Sequence, residues 1–131
     1  MLVICCVSLQ ILIGGVALLA MFKVSVFYVL LTCICVMLLY AICTYQFRKK
    51  DRKIKTVRVV GLSVALSLLS MMIACVFTAI DLRQSADNIL IAGLKGIVPL
   101  FFFAIFFAAP FWMAFAVINF IGLYFVNKDL K

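Results

Sequence analysis

Long apolar runs, broken by few polar residues, dominate this chain. Four of them, Leu2 to Phe22, Val24 to Tyr45, Val59 to Ile80 and Pro99 to Val126, suffice to cross a membrane. A helix crosses a hydrocarbon core of about 30 Å in about 20 residues. The runs are continuous and lack the period-two alternation of a barrel strand, so the expected elements are helices. The fold class is therefore an all-α membrane protein, four transmembrane helices in one bundle, and residues 1–131 form a single membrane domain.

Within the runs, small and polar residues recur at helical spacing. The third span is clearest: Ser63, Ser67, Ser70, Ala74, Thr78 and Asp81 follow steps of three or four and share one face. The first span offers Gln10, Gly14 and Ala17. The fourth offers Ala104, Ala108, Asn119 and Gly122, with Trp112 nearby. The second has a weaker series, Ser25, Tyr28, Thr32 and Cys35. Helices in lipid associate through small residues and polar contacts, so these stripes are expected to face one another. Gln10, Ser63, Ser67 and Asn119 fall at similar depth, which predicts an intramembrane polar cluster, since an amide facing lipid is expensive. Such a cluster serves as structural glue or as a pocket for a headgroup or small solute.

Two prolines and a connecting segment punctuate the last third. SADNILIAGLKG, residues 85–96, reads as a short surface helix capped by Ser85 or Asp87. Gly96 and Pro99 then mark the turn into the fourth span, with Pro99 in its first helical turn. Pro110 lies deep in that span and is expected to kink it. FFFAIFF, residues 101–107, carries more rings than one inward face holds. Phe101, Phe103 and Phe106, with Trp112, are candidates for a partner-facing surface, against the plainer reading of lipid contact.

Composition agrees with the pattern. Of 131 residues, 69% are hydrophobic and 12% charged, far from the balance of a soluble domain. The net charge of +8 is concentrated in QFRKKDRKIKTVR, residues 46–58. Arg48, Lys49, Lys50, Arg52, Lys53, Lys55 and Arg58 make that loop a topogenic signal. Basic loops stay in the cytoplasm, which predicts both termini cytoplasmic and the 81–98 loop outside. Lys128 and Lys131 then join the inner side, against Lys23, Arg83 and Lys95 outside. Attraction to anionic lipid headgroups follows, at about 1 kcal/mol per basic residue. Nucleic acid is not an expected partner: the loop is short, lies against the bilayer and lacks stacking aromatics. The start, residues 1–22, has no basic leader and no cleavage site, and is expected to stay as a membrane helix. A bacterial plasma (inner) membrane is the expected location.

The chemistry is mostly negative. Histidine is absent, and the acids are Asp51, Asp81, Asp87 and Asp129, none deep in a span. Ion-coupled carriers generally need an intramembrane ionisable group, so antiport of the small multidrug type is not expected. Serine nucleophiles lack a base. The six cysteines all lie in apolar runs, where a thiol behaves as a small hydrophobe. No catalytic residue, metal ligand or cofactor is expected. What is left is a non-enzymatic protein that recognises another membrane component as an accessory, regulatory or immunity-type partner. The alternative is a small oligomeric channel or passive lipid or solute carrier, and either role implies another membrane protein or a homo-oligomer.

Overall fold

The computed structural model describes residues 2–49, 55–82 and 88–129. Its regular structure there is entirely helical: α1 (Leu2–Phe22), α2 (Val26–Lys49), α3 (Thr56–Asp81), α4 (Ile89–Phe107) and α5 (Ala109–Asp129). Four stretches are long and apolar enough to cross a membrane: Val26–Gln46, Thr56–Asp81, Ile89–Phe107 and Ala109–Lys128. Ile4–Ala20 of α1 is a shorter apolar helix. The protein is a multi-pass membrane helix bundle.

The first three expected spans are α1, α2 and α3, with α2 and α3 running a turn or so further toward the basic segment. Lys50, Arg52 and Lys53 lie outside the described residues, as do Arg83, Ser85 and Asp87. Between α1 and α2 the chain reverses in three residues. Lys23 takes the left-handed backbone, with φ 51°, a conformation that costs an ordinary residue about 1 kcal/mol. The Val24 N–H closes the turn on the Leu18 carbonyl at 3.4 Å.

The last third departs from expectation. The surface helix and the fourth span are not separate. Asn88, extended at φ −67° and ψ 136°, starts one helix that runs from Ile89 through Gly96 and Pro99 to Phe107. Gly96 does not end a turn; its missing side chain lets α4 lie against Ala79 of α3, where a Cβ would meet the Ala79 Cβ at 2.3 Å. Pro99 sits inside the helix instead of in its first turn. Pro110, expected inside a span, lies in the first turn of α5, where its missing donor is harmless. The chain breaks at Ala108, whose carbonyl accepts the N–H groups of Phe111 at 2.9 Å and Trp112 at 3.2 Å.

Helices α4 and α5 follow one another along α3. Gly96 meets Ala79, the Trp112 carbonyl meets Ser67, and Leu123 shares a core with Val59 and Leu66. The pairing is antiparallel, as a helix and its broken partner would pack. From Gly96 to Trp112 is about 24 Å of helix, but from Ala79 to Ser67 only about 18 Å. The surplus bows away from α3 around Ala108 and leaves room beneath it.

The core lies at the end carrying the basic segment. Val36, Tyr40, Val59, Leu66 and Leu123 are buried together, with Val7, Leu62 and Phe120 against them. The buried face of α2 is thus Val29, Thr32, Val36 and Tyr40; of the expected series Ser25, Tyr28, Thr32 and Cys35, Thr32 alone is buried. At the far end Asp81 reaches across to the start of α2. Its carboxylate accepts the Ser25 N–H at 2.7 Å and the Ser25 hydroxyl at 3.0 Å. An anion there suits the positive end of a helix.

Candidate functional site

The bundle interior holds a polar knot and, beside it, a cavity. The knot centres on Tyr40 of α2. Its phenol meets the amide oxygen of Gln10 on α1 at 2.6 Å and that of Asn119 on α5. Gln10 and Asn119 are almost wholly buried, at 3% and 2% exposure. A phenol has one proton, so it donates to one amide oxygen. The other amide completes the triad by turning its NH2 to the phenol oxygen. In either arrangement one polar atom on each amide is left over. With both oxygens turned to the phenol, the amide nitrogens of Gln10 and Asn119 have no protein partner; once one amide turns, one nitrogen and one oxygen are left over, and stranding a buried polar group costs about 1–3 kcal/mol.

The hydroxyls nearby are already engaged. Ser63 donates to the Val60 carbonyl at 2.7 Å and Ser70 to Leu66 at 2.8 Å. Thr32 donates to Tyr28 at 2.8 Å. Each bonds back to its own helix, as serine and threonine commonly do. Ser67 crosses instead to α5, donating to the Trp112 carbonyl at 2.7 Å. The Trp112 indole in turn donates to the Ile105 carbonyl at 3.1 Å. That carbonyl lies in the last turn of α4, where the break removes intrahelical donors. Ser67 and Trp112 therefore tie the two sides of the break, which matters in lipid because no water is at hand.

The cavity, about 140 Å³, lies under the bowed α4–α5 junction. Gln10 and Gly14 of α1, Ser70 and Ala74 of α3, Ala104 of α4 and Trp112 and Phe115 of α5 line it, with Thr32 of α2. Helix α1 packs on α2 and α5, and α4 packs on α3; no comparable packing joins α1 to α4. The cavity occupies that gap. No charged residue lines it.

A model of the uncharacterised protein family UPF0014, a membrane family, matches residues 1–100. The chain belongs to UPF0014. The match covers α1 to α3 and the first part of α4, so it includes Gln10 and Tyr40 but not Trp112 or Asn119. No curated protein and no solved structure matches the chain.

The sites expected from sequence are only partly assembled in this UPF0014 protein. All four members of the expected polar cluster are buried, but they do not form one network. Gln10 and Asn119 meet through Tyr40, which the sequence reading had missed; Ser63 turns to its own helix and Ser67 to the break. A readable signal existed: Thr32, Val36 and Tyr40 step by four along α2. The four-residue aromatic face is also redrawn. Phe102, Phe103, Phe106 and Phe107 are exposed, the last two at 73% and 71%, and Phe103 stacks on Phe107 with centroids 4.4 Å apart. Phe101 is half-buried. Trp112 turns inward to the break and the cavity, so it does not belong to an outer partner surface. Lys55 and Arg58 are exposed at the start of α3, and Arg48 and Lys49 close α2. Among the described residues no group of three or more His, Cys, Asp or Glu side chains is placed to hold a metal. The six cysteines are free thiols.

Proposed function

We propose that this UPF0014 protein is a non-enzymatic accessory or regulatory subunit that recognises another membrane protein through the outer face of α4. The observation carrying the reading is the exposed ladder Phe102, Phe103, Phe106 and Phe107, on a helix whose main packing among the described residues is on α3 and at its junction with α5. Aromatic side chains give large contact area at low entropic cost and are enriched at protein interfaces. The absence of histidine from the sequence and the engagement of Ser63, Ser67 and Ser70 with backbone carbonyls support a role without catalysis. In this reading the basic segment and both termini lie in the cytoplasm of a bacterial cell, as the excess of Lys and Arg at that end supports. The test is co-purification from the source membrane. Phe103→Leu with Phe106→Leu should release a stoichiometric partner while the protein still inserts. An unchanged complex would remove α4 from the interface.

A second reading, a passive carrier or small oligomeric channel, draws on the cavity. It requires that Gln10→Leu or Ser67→Val abolish flux in liposomes without preventing insertion. Normal flux in both variants would end it.

A further inference from the structure

We propose that residues 100–107 of α4 form a strap that swings at Pro99 and Ala108, closing the cavity against α1 or leaving it open to the bilayer. The motion belongs to the chain alone and does not rest on the partner reading.

Both ends of the strap are weak points in the helix. Pro99 lies inside α4. Its nitrogen carries no proton, so the Lys95 carbonyl loses the donor it would have one turn later. Pro110 does the same to the Phe106 carbonyl at the other end. At Ala108 the backbone bonds stop. Its N–H donates to the Ala104 carbonyl at 3.0 Å, and its own carbonyl accepts Phe111 and Trp112. Among the described residues, no backbone bond at the junction joins α5 to a residue before Ala108. The crossing is made by one side chain, the Trp112 indole on the Ile105 carbonyl. A helix bends where its ladder is interrupted, and here interruptions flank a segment of two turns.

The strap also has room to move. The tight seam that holds α4 to α3, with Gly93 on Ile80 and Gly96 on Ala79, lies before Pro99. Beyond it Leu100, Ala104 and Ala108, one face of the strap, line the cavity of about 140 Å³. Gly14 and Ala17 line it from α1. Small residues let two helices approach closely in lipid, yet these are held apart, and α1 and α4 share no packing comparable to that of the neighbouring pairs. Walls that stand apart forgo van der Waals contacts, and an inward swing of the strap recovers them. Packed interfaces switch between discrete arrangements and do not deform continuously, so two positions are expected. The open one is the bowed form, held by the Trp112–Ile105 bond.

The test is pulsed electron spin resonance on the full chain in nanodiscs. Nitroxides are attached through p-acetylphenylalanine, which leaves the six free thiols untouched. One label replaces Val16 of α1 and the other Phe106 of α4, both exposed. A reference pair at Val16 and Val117 spans the packed α1–α5 contact. The otherwise unaltered chain should give two distances for the first pair and one for the reference. Ala104→Phe, which blocks inward movement, should remove the shorter distance. Pro110→Ala, which returns an N–H to the Phe106 carbonyl and stiffens the break, should leave a single distance. An unchanged reference distance shows that each variant is folded. A single distance for the first pair, as narrow as the reference, would overturn the proposal, and so would a shorter distance that survives in either folded variant.

Discussion

The two ends of the bundle are built differently. At the basic end four helices share one core, in which Val59, Ser63 and Ser67 are fully buried. There Tyr40 joins α1, α2 and α5 through side chains alone. At the far half, α4 leans on α3 along a seam of Gly93 and Gly96 against Val76, Ala79 and Ile80. Its other faces meet a cavity and the surroundings. In lipid, apolar burial does little to join helices, so what distinguishes the ends is how they are fastened. One is fastened by hydrogen bonds that have no alternative partner in a bilayer. At the other, α4 is held by the close approach of two backbones, while Asp81 ties α3 to the start of α2. A fixed end and an open one suit a protein that holds a scaffold while presenting α4 to something else.

The largest blow to that contrast falls on the seam. Gly96→Leu would force its side chain into Ala79, and overpacking of this kind costs about 3 kcal/mol. Unfolding in mild detergent should show it, whereas Gly93→Ala, whose Cβ would find side chains at 3.5 Å or beyond, should shift the midpoint little. Equal tolerance at the two positions would mean that α4 does not lie where described. The knot comes next. Tyr40→Phe strands both amides and is expected to cost about 2 kcal/mol. Ser63→Ala, which deletes a bond within one helix, should cost under about 0.5 kcal/mol. A double-mutant cycle of Tyr40→Phe with Asn119→Leu then reports their coupling, and additive losses would separate the two residues. At the far end, Asp81→Ala removes both bonds to Ser25 and should cost about 1 kcal/mol, with Asp81→Asn recovering part. One substitution should be a gain. A Cβ at Gly61 would meet nothing within 4 Å, so Gly61→Ala should raise stability by about 0.5 kcal/mol through helix propensity.

Much of the architecture was legible in the sequence because lipid imposes simple demands. Continuous apolar length marked α1, α2 and α3, and the Ser63–Asp81 stripe marked the inward face of α3. Gln10 and Asn119 were recognisable as amides needing a partner. Tyr40 was not, because tyrosine near a span end also suits the membrane interface, and only the opposing helices show it turned inward. The two prolines took each other's expected places for a similar reason. Whether a proline begins a helix or sits within one depends on what its neighbours do. Gly96 reads as a turn until Ala79 is seen against it, and Pro110 reads as a kink until Ser67 and Trp112 are seen holding a break. The cavity follows from that break and has no signature in any one run of residues.

The partner role of α4 is tested most directly by photocrosslinking in the native membrane. A benzophenone amino acid is placed at Phe106 and, separately, at Leu12, an exposed residue of α1 (66%). The account predicts one discrete crosslinked protein from position 106, of constant mass between preparations, and only lipid adducts from position 12. Lipid adducts alone from both positions would contradict it, and α4 would then be a helix that faces the bilayer and nothing more.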